Sequence, residues 1–119
     1  MYYVQKQFSI EASHKLNLPY ESKCRNLHGH SWLITVYVKS DILDDNGMVV
    51  DFTHVKHAIK DNLDHSCLSD LFDFNTTSEN LARWICDKIN ELAQETNVCA
   101  ICYRVDVQEA EGSIATYQR

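Results

Sequence analysis

The chain has 119 residues, 45% of them hydrophobic, enough for one compact core and too few for two ordinary domains, so residues 1–119 are read as a single domain. Eleven basic against seventeen acidic residues give a formal net charge of −6, which argues against a phosphate backbone as main partner and hence against nucleic acid. No apolar run approaches the ~18 residues a bilayer span needs, and the opening MYYVQKQF lacks the charged-then-apolar pattern of an export signal, so no membrane is expected and the expected location is the cytoplasm. There the five cysteines are read as thiols, ligands or small hydrophobes rather than disulfides.

From Val4 to His14 the even positions are mostly apolar and the odd ones polar, the period of a half-buried strand. An irregular segment around Pro19 follows. A second strand then has His28, His30, Trp32, Ile34, Val36 and Val38 on one face. The turn signal Asp45-Asn46-Gly47 ahead of Met48-Val49-Val50 predicts a hairpin back onto that strand. Phe52, Val55, Ile59 and Leu63 share one helical face ending near Asp64-His65. A second helix is predicted from Thr76-x-x-Glu79, which offers a capping box, and from the stripe Leu81, Trp84, Ile85, Lys88, Ile89 and Leu92. Ile101, Tyr103, Val105, Val107 and Glu109 then alternate with Cys102, Arg104, Asp106 and Gln108, and Ile114 to Tyr117 pair back across Gly112. The order β-β-α-α-β-β implies an α+β domain, an antiparallel sheet with two helices on one face.

Residues two apart on a strand project together, so His28 and His30 point inward with Trp32. His14 ends the apolar face of the first strand. If the two strands pair, three imidazoles converge, the protein ligand set of a catalytic zinc with one position left open. The alternative is three core histidines held by hydrogen bonds. Cys24, flanked by Lys23 and Arg25, precedes this strand and can serve as base or nucleophile if a neighbour lowers its pKa, or simply as a small hydrophobe. Asp64-His65 is either an acid supporting a proton-exchanging imidazole or ordinary helix-end chemistry.

Glu109 extends an apolar strand face and needs a partner there: either paired N–H groups on a ligand ring edge, or water at a frayed strand end. Lys15, Lys23 and Arg25 suit either a phosphate or plain solvation. Cys99-x-x-Cys102 puts its thiols on opposite faces of a strand and is discounted as a metal or redox pair. His54 and His57 lie off the first helix's apolar stripe. Cys67, two residues after His65, is the rival nucleophile to Cys24.

Taken together, F8-S-I-E-A-S-H14, C24-R-N-L-H28-G-H30-S-W, G47-M-V-V-D-F52, L63-D-H65, T77-S-E-N-L-A82 and Glu109 resemble the 6-pyruvoyltetrahydropterin synthase and 6-carboxytetrahydropterin synthase family over nearly the whole chain. The C-x-x-x-H-G-H spacing resembles the carboxy-forming members, whereas pyruvoyl-forming ones tend to have a longer gap. The resemblance implies the tunnelling fold, in which such subunits form barrel-like trimers that stack as a homohexamer with active sites between subunits. It further implies zinc on His14, His28 and His30, Cys24 as proton acceptor with Asp64 and His65 as its relay, and Glu109 gripping the pterin ring and joining that relay in some descriptions. The substrate it implies is 7,8-dihydroneopterin triphosphate. With water this gives 6-carboxy-5,6,7,8-tetrahydropterin, acetaldehyde and triphosphate, on the route to 7-deazaguanine and queuosine. Ala110, where the family often has threonine, and the short tail after Tyr117 depart from the pattern.

Overall fold

A computed structural model describes residues 1–96 and 98–119. The alternation in the first two strands is realised along their whole length: β1 (Tyr2–His14) and β2 (His28–Ser40) pair antiparallel from Tyr2 opposite Ser40 to His14 opposite His28. The helix-forming stripes give α1 (Phe52–Leu63) and α3 (Ser78–Glu95). Between them stand a two-residue strand, β3 (Ser66–Cys67), and a single helical turn, α2 (Leu68–Leu71). The chain closes with β4 (Ile101–Ala110) and β5 (Ser113–Gln118). Gly112 sits between these two at φ +82°, a left-handed conformation that costs glycine little.

The sheet order is β3-β1-β2-β4-β5, so β2 is central and paired on both edges. β3 runs parallel to β1 and pairs it at Ala12 and Ser13; before these, Asp64 Oδ1 and His65 N–H take the Glu11 main chain and Lys60 Nζ the Ser9 C=O, and no strand among the described residues pairs that edge. Helices α1 and α3 lie on the face that carries Ile10, Trp32, Ile34, Val36, Val105 and Val107, and bury Val55, Ile59, Leu63, Leu81, Ile85 and Ile89 against it. Each fully buried Ile or Val contributes about 1.5–3 kcal/mol of transfer free energy, so this shared layer holds the two-helix, one-sheet arrangement together. The opposite face is polar, with Gln5, Gln7, Glu11, Ser31 and Tyr37. There Asp106 accepts from Arg104, Tyr37 and Thr116. Burial raises the Asp106 carboxyl, but those donors together outweigh it and hold it below the usual carboxylate range. Among the described residues no helix is long and apolar enough to cross a membrane.

Three local expectations are corrected. Met48-Val49-Val50 is not a strand, because both edges of β2 are already taken by β1 and β4. Asp44 closes that segment instead, its side chain accepting the N–H groups of Asn46 and Met48 at 2.9 Å. The cap of α3 is Thr77, which accepts Asn80 N–H at 3.2 Å, not Thr76 one residue earlier. Tyr103 is the extra residue of a β-bulge, so Cys102, rather than Ile101 or Tyr103, shares the buried face of β4 with Val105. Asn90 fixes that switch: it accepts Cys102 N–H and donates to Cys102 C=O, both at 2.9 Å.

Candidate metal centre

Pairing of β1 with β2 puts His14 opposite His28 at the sheet end, and the two-residue strand period puts His30 on the same face. The three rings lie edge to tilted with centroids 4.6 to 5.2 Å apart, and the Trp32 ring stands edgewise at 4.8 Å from His14 and 5.2 Å from His30. Glu109 reaches the same point from β4. A second bulge, between Gln108 and Ala110, makes Glu109 the unpaired residue there, the usual way a bulge re-aims a side chain beside a site. One ligand atom from each of His14, His28, His30 and Glu109 lies within 4.8 Å of all the others.

The outer ring nitrogens settle the tautomers. His14 Nδ1 lies 2.8 Å from the Thr76 C=O and His28 Nδ1 lies 2.6 Å from the Asn26 C=O. A carbonyl only accepts, so each Nδ1 donates, and in the neutral ring it is then Nε2 that carries the lone pair, the form in which imidazole binds a metal. Burial, the largest influence, pushes His14 below the usual imidazole range. The Thr76 carbonyl pulls the other way, His28 lowers it further, and Glu109 again opposes. His14 is wholly buried and neutral imidazole is its favoured state.

Glu109 Oε1 stands 3.1 Å from both His14 Nε2 and His30 Nε2, yet neither nitrogen makes a hydrogen bond among the described residues. The distances satisfy an ion pair, but the alignment is not that of a bond. Two buried nitrogens without partners, one of them a lone pair facing a carboxylate, are a poor arrangement for an apolar core and a good one for a divalent cation. Three imidazoles with a carboxylate suit zinc, which takes nitrogen and oxygen ligands in a tetrahedral shell. The residues therefore fit the metal that the sequence implied.

The remaining candidates lie elsewhere. Cys24 is half-buried in a short 3₁₀ turn (Lys23–Arg25) whose cap, Ser22, accepts the Cys24 N–H at 3.2 Å. Asp64 and His65 follow α1 at the edge of β1. Asp64 Oδ1 accepts Glu11 N–H at 2.8 Å, and that bond chiefly, with help from His65 and Lys60, holds its carboxyl below the usual range. His65, at φ +57°, is 80% exposed, with Nε2 3.6 Å from Asp64 Oδ2. It lines an open cleft with Glu11, Ser13, Ser31 and Cys67, and Cys24 does not. Within one chain, then, the histidines and Glu109 come together, while Cys24 and the Asp64–His65 pair share no hydrogen bond among the described residues.

Sequence reasoning missed Thr76 and Asn26 as the carbonyls that orient the ligands. Neither has a side-chain signature for that role, although two adjacent threonines before a helix leave one of them free of capping. His54 and His57 are exposed on α1, as expected, and Cys99 is exposed while Cys102 is buried.

An α+β sheet that gathers three imidazoles and a carboxylate at one end defines a protein with a candidate metal site. The model of the family described as 6-pyruvoyl tetrahydropterin synthase matches residues 3–119, and the chain belongs to that family. It is 43% identical over 100 residues to the 6-carboxy-5,6,7,8-tetrahydropterin synthase of Synechocystis, covering 76% of this chain and 77% of that one. With the protein of the same name from Bacillus subtilis it shares 29% over 122 residues, 97% of this chain and 84% of the relative. Among solved structures, the 6-pyruvoyl tetrahydropterin synthase of Caenorhabditis elegans superposes with a TM-score of 0.78 at 26% identity, over 99% of this chain and 95% of that one.

Proposed function

We propose that this protein is a zinc-dependent 6-carboxy-5,6,7,8-tetrahydropterin synthase, a lyase that converts 7,8-dihydroneopterin triphosphate and water to 6-carboxy-5,6,7,8-tetrahydropterin, acetaldehyde and triphosphate. The observation that carries the proposal is the convergence of His14, His28 and His30, two of them fixed as Nε2 ligands by carbonyls behind them, beside Glu109. The carboxy-forming names of the two relatives above and the C-x-x-x-H-G-H spacing favour this product over a pyruvoyl one.

His14, His28 and His30 would hold the zinc, which would supply Lewis acidity toward the side-chain oxygens of the substrate. Glu109, part-buried beside the ligands, accepts N–H groups of the pterin ring and so turns the side chain toward the metal. Cys24 takes and returns protons at the substrate side-chain carbons, and the Asp64 carboxylate orients His65 to exchange protons with that thiol. Because Cys24 shares no hydrogen bond with His65 among the described residues and does not line its cleft, we read the relay as assembled across an interface between subunits. Two open strand edges, most of β1 on one side and β5 on the other, support closure of sheets into a trimeric ring and the stacking of two rings as a homohexamer. We place the enzyme in the cytoplasm, acting on a small pterin triphosphate rather than on nucleic acid or membrane, on the route to queuosine, with residues 1–119 as one domain.

Incubation with 7,8-dihydroneopterin triphosphate tests the reaction: acetaldehyde together with a 6-carboxypterin is expected. A pyruvoyl product without acetaldehyde makes the protein the alternative enzyme, a pyruvoyl-forming or sepiapterin-cleaving relative. Absence of turnover in zinc-loaded protein leaves a non-catalytic zinc-binding oligomer of the same fold. Cys24→Ala should abolish turnover and leave zinc near one per chain.

A further inference from the structure

The chain beyond His14 is not a free loop. Lys15 N–H donates to Ser69 Oγ at 2.9 Å and the Ser69 hydroxyl donates back to Lys15 C=O at 3.1 Å, so one side chain satisfies both main-chain groups of Lys15. Asn75 does the same for Asn17: Asn17 N–H donates to Asn75 Oδ1 at 2.9 Å, and Asn75 Nδ2 donates to Asn17 C=O at 3.2 Å. Between these two clamps the Leu16 N–H donates to Cys24 C=O at 2.7 Å. Residues 15–17 are thus a strap held on one side by Ser69 and Asn75 and bonded through Leu16 to the turn that carries Cys24.

The clamps are themselves anchored. Asn75 C=O accepts the Thr77 N–H and Asn80 Nδ2, each at 2.9 Å, which ties it to the first turn of α3. Thr76, between Asn75 and the cap, supplies the carbonyl that orients His14, and its hydroxyl lies 3.4 Å from Ser69 Oγ. One short stretch, Ser69 to Thr76, therefore fixes His14 directly and Cys24 through the strap.

We propose that Ser69 and Asn75 are positioning residues: through residues 15–17 they hold the metal ligand His14 and the Cys24 turn in one fixed relation. The inference rests on the roles given to His14 and Cys24 above. Groups that orient metal ligands typically change affinity by about 10–100-fold when removed, and displacement of a reacting group by about 1 Å costs on the order of 10²-fold in rate.

The test compares wild-type protein with Ser69→Ala, Asn75→Ala, Ser69→Thr, which keeps the hydroxyl, and Asn62→Ala, an exposed α1 control that bonds only within its own helix. Two quantities are measured: zinc affinity by competition with a chromophoric chelator, and the rate at which iodoacetamide alkylates Cys24 in metal-free protein, read by peptide mass mapping. Each alanine variant should weaken zinc about tenfold and change the Cys24 alkylation rate several-fold. Ser69→Thr should restore both, and Asn62→Ala should change neither. Zinc affinity within about twofold of wild type in both alanine variants overturns the proposal. So does a zinc effect with an unchanged Cys24 rate, because the strap would then couple nothing. Failure of wild-type protein to bind zinc defeats the metal reading instead, and the Cys24 rate still decides the strap. Should Asn75→Ala fail to fold in a thermal melt, Ser69→Ala, which loses a single hydroxyl, carries the comparison.

Discussion

His14 Nε2 and Glu109 Oε1 face each other at 3.1 Å with no hydrogen bond between them, a lone pair against a carboxylate. Two acceptors at that distance repel unless a proton or a cation lies among them. The ring cannot turn away, because Nδ1 is held by Thr76, so the site is charged in advance for a cation.

Removal of a ligand separates metal binding from folding. His28→Ala, at a part-exposed ring, should reduce zinc from near one per chain to near zero with a stability change within about 1 kcal/mol. His14→Ala should lose zinc and also cost about 2–4 kcal/mol, because it leaves a cavity and an unpaired Thr76 carbonyl in the core. Metal analysis by plasma mass spectrometry and denaturant midpoints of the metal-free proteins check both. Full zinc occupancy in His28→Ala would refute the ligand assignment.

Glu109→Gln asks whether the carboxylate holds metal or substrate. The amide keeps shape and one acceptor but loses the charge that pairs with ring N–H groups. Zinc content should stay near one per chain while turnover falls by about 10²-fold or more. Loss of zinc together with turnover would make Glu109 a fourth ligand instead.

The depressed His14 pKa fixes the sign of the pH dependence. The unfolded chain binds a proton on this ring near its ordinary value of about 6.5, while the folded ring resists it. Its contribution to stability is therefore fully present above about pH 6.5 and is lost as pH falls below that value toward the lower folded pKa. Protons compete with zinc for the same nitrogen, so zinc affinity should decline over the same acid range. Chelator titrations and melts from neutral to mildly acid pH would show it. Metal affinity that rises on acidification would contradict the neutral-ligand picture.

Trp32 Nε1–H donates to Ala12 C=O at 3.1 Å beneath the histidines. Trp32→Phe removes that donor and leaves a small void, for a loss of about 1–3 kcal/mol read by denaturant unfolding, with zinc bound more weakly than in wild type. Unchanged stability would mean the indole is not a floor for the site.

Much of this was readable beforehand because period-two alternation is a local signal. His28, His30 and Trp32 announce their common face in five residues, and once β1 pairs with β2, His14 joins them. What failed to show was whatever depended on register or on choice between equivalent neighbours. Thr76 and Thr77 both carry hydroxyls suited to a helix start, and only the packed chain turns one to the cap and the other toward His14. Glu109 follows Val105 and Val107 on the face that alternation gives it, but the bulge at Tyr103 leaves no compositional mark, so alternation alone puts Tyr103 on the wrong face. Met48-Val49-Val50 has strand composition but finds no open edge. Whether Cys24 lines the cleft of His65 is a long-range matter that no local pattern encodes, and it does not.

His28 and His30 ride on β2, the strand with a neighbour on each side, and β1 carries His14 paired to it from end to end. Main-chain pairing of the strands, not the ligand set, is what aligns these rings, unlike small modules that collapse only around the metal. Removal of a metal held there is therefore expected to leave the sheet folded, and an unchanged far-ultraviolet circular dichroism spectrum on chelation would show it.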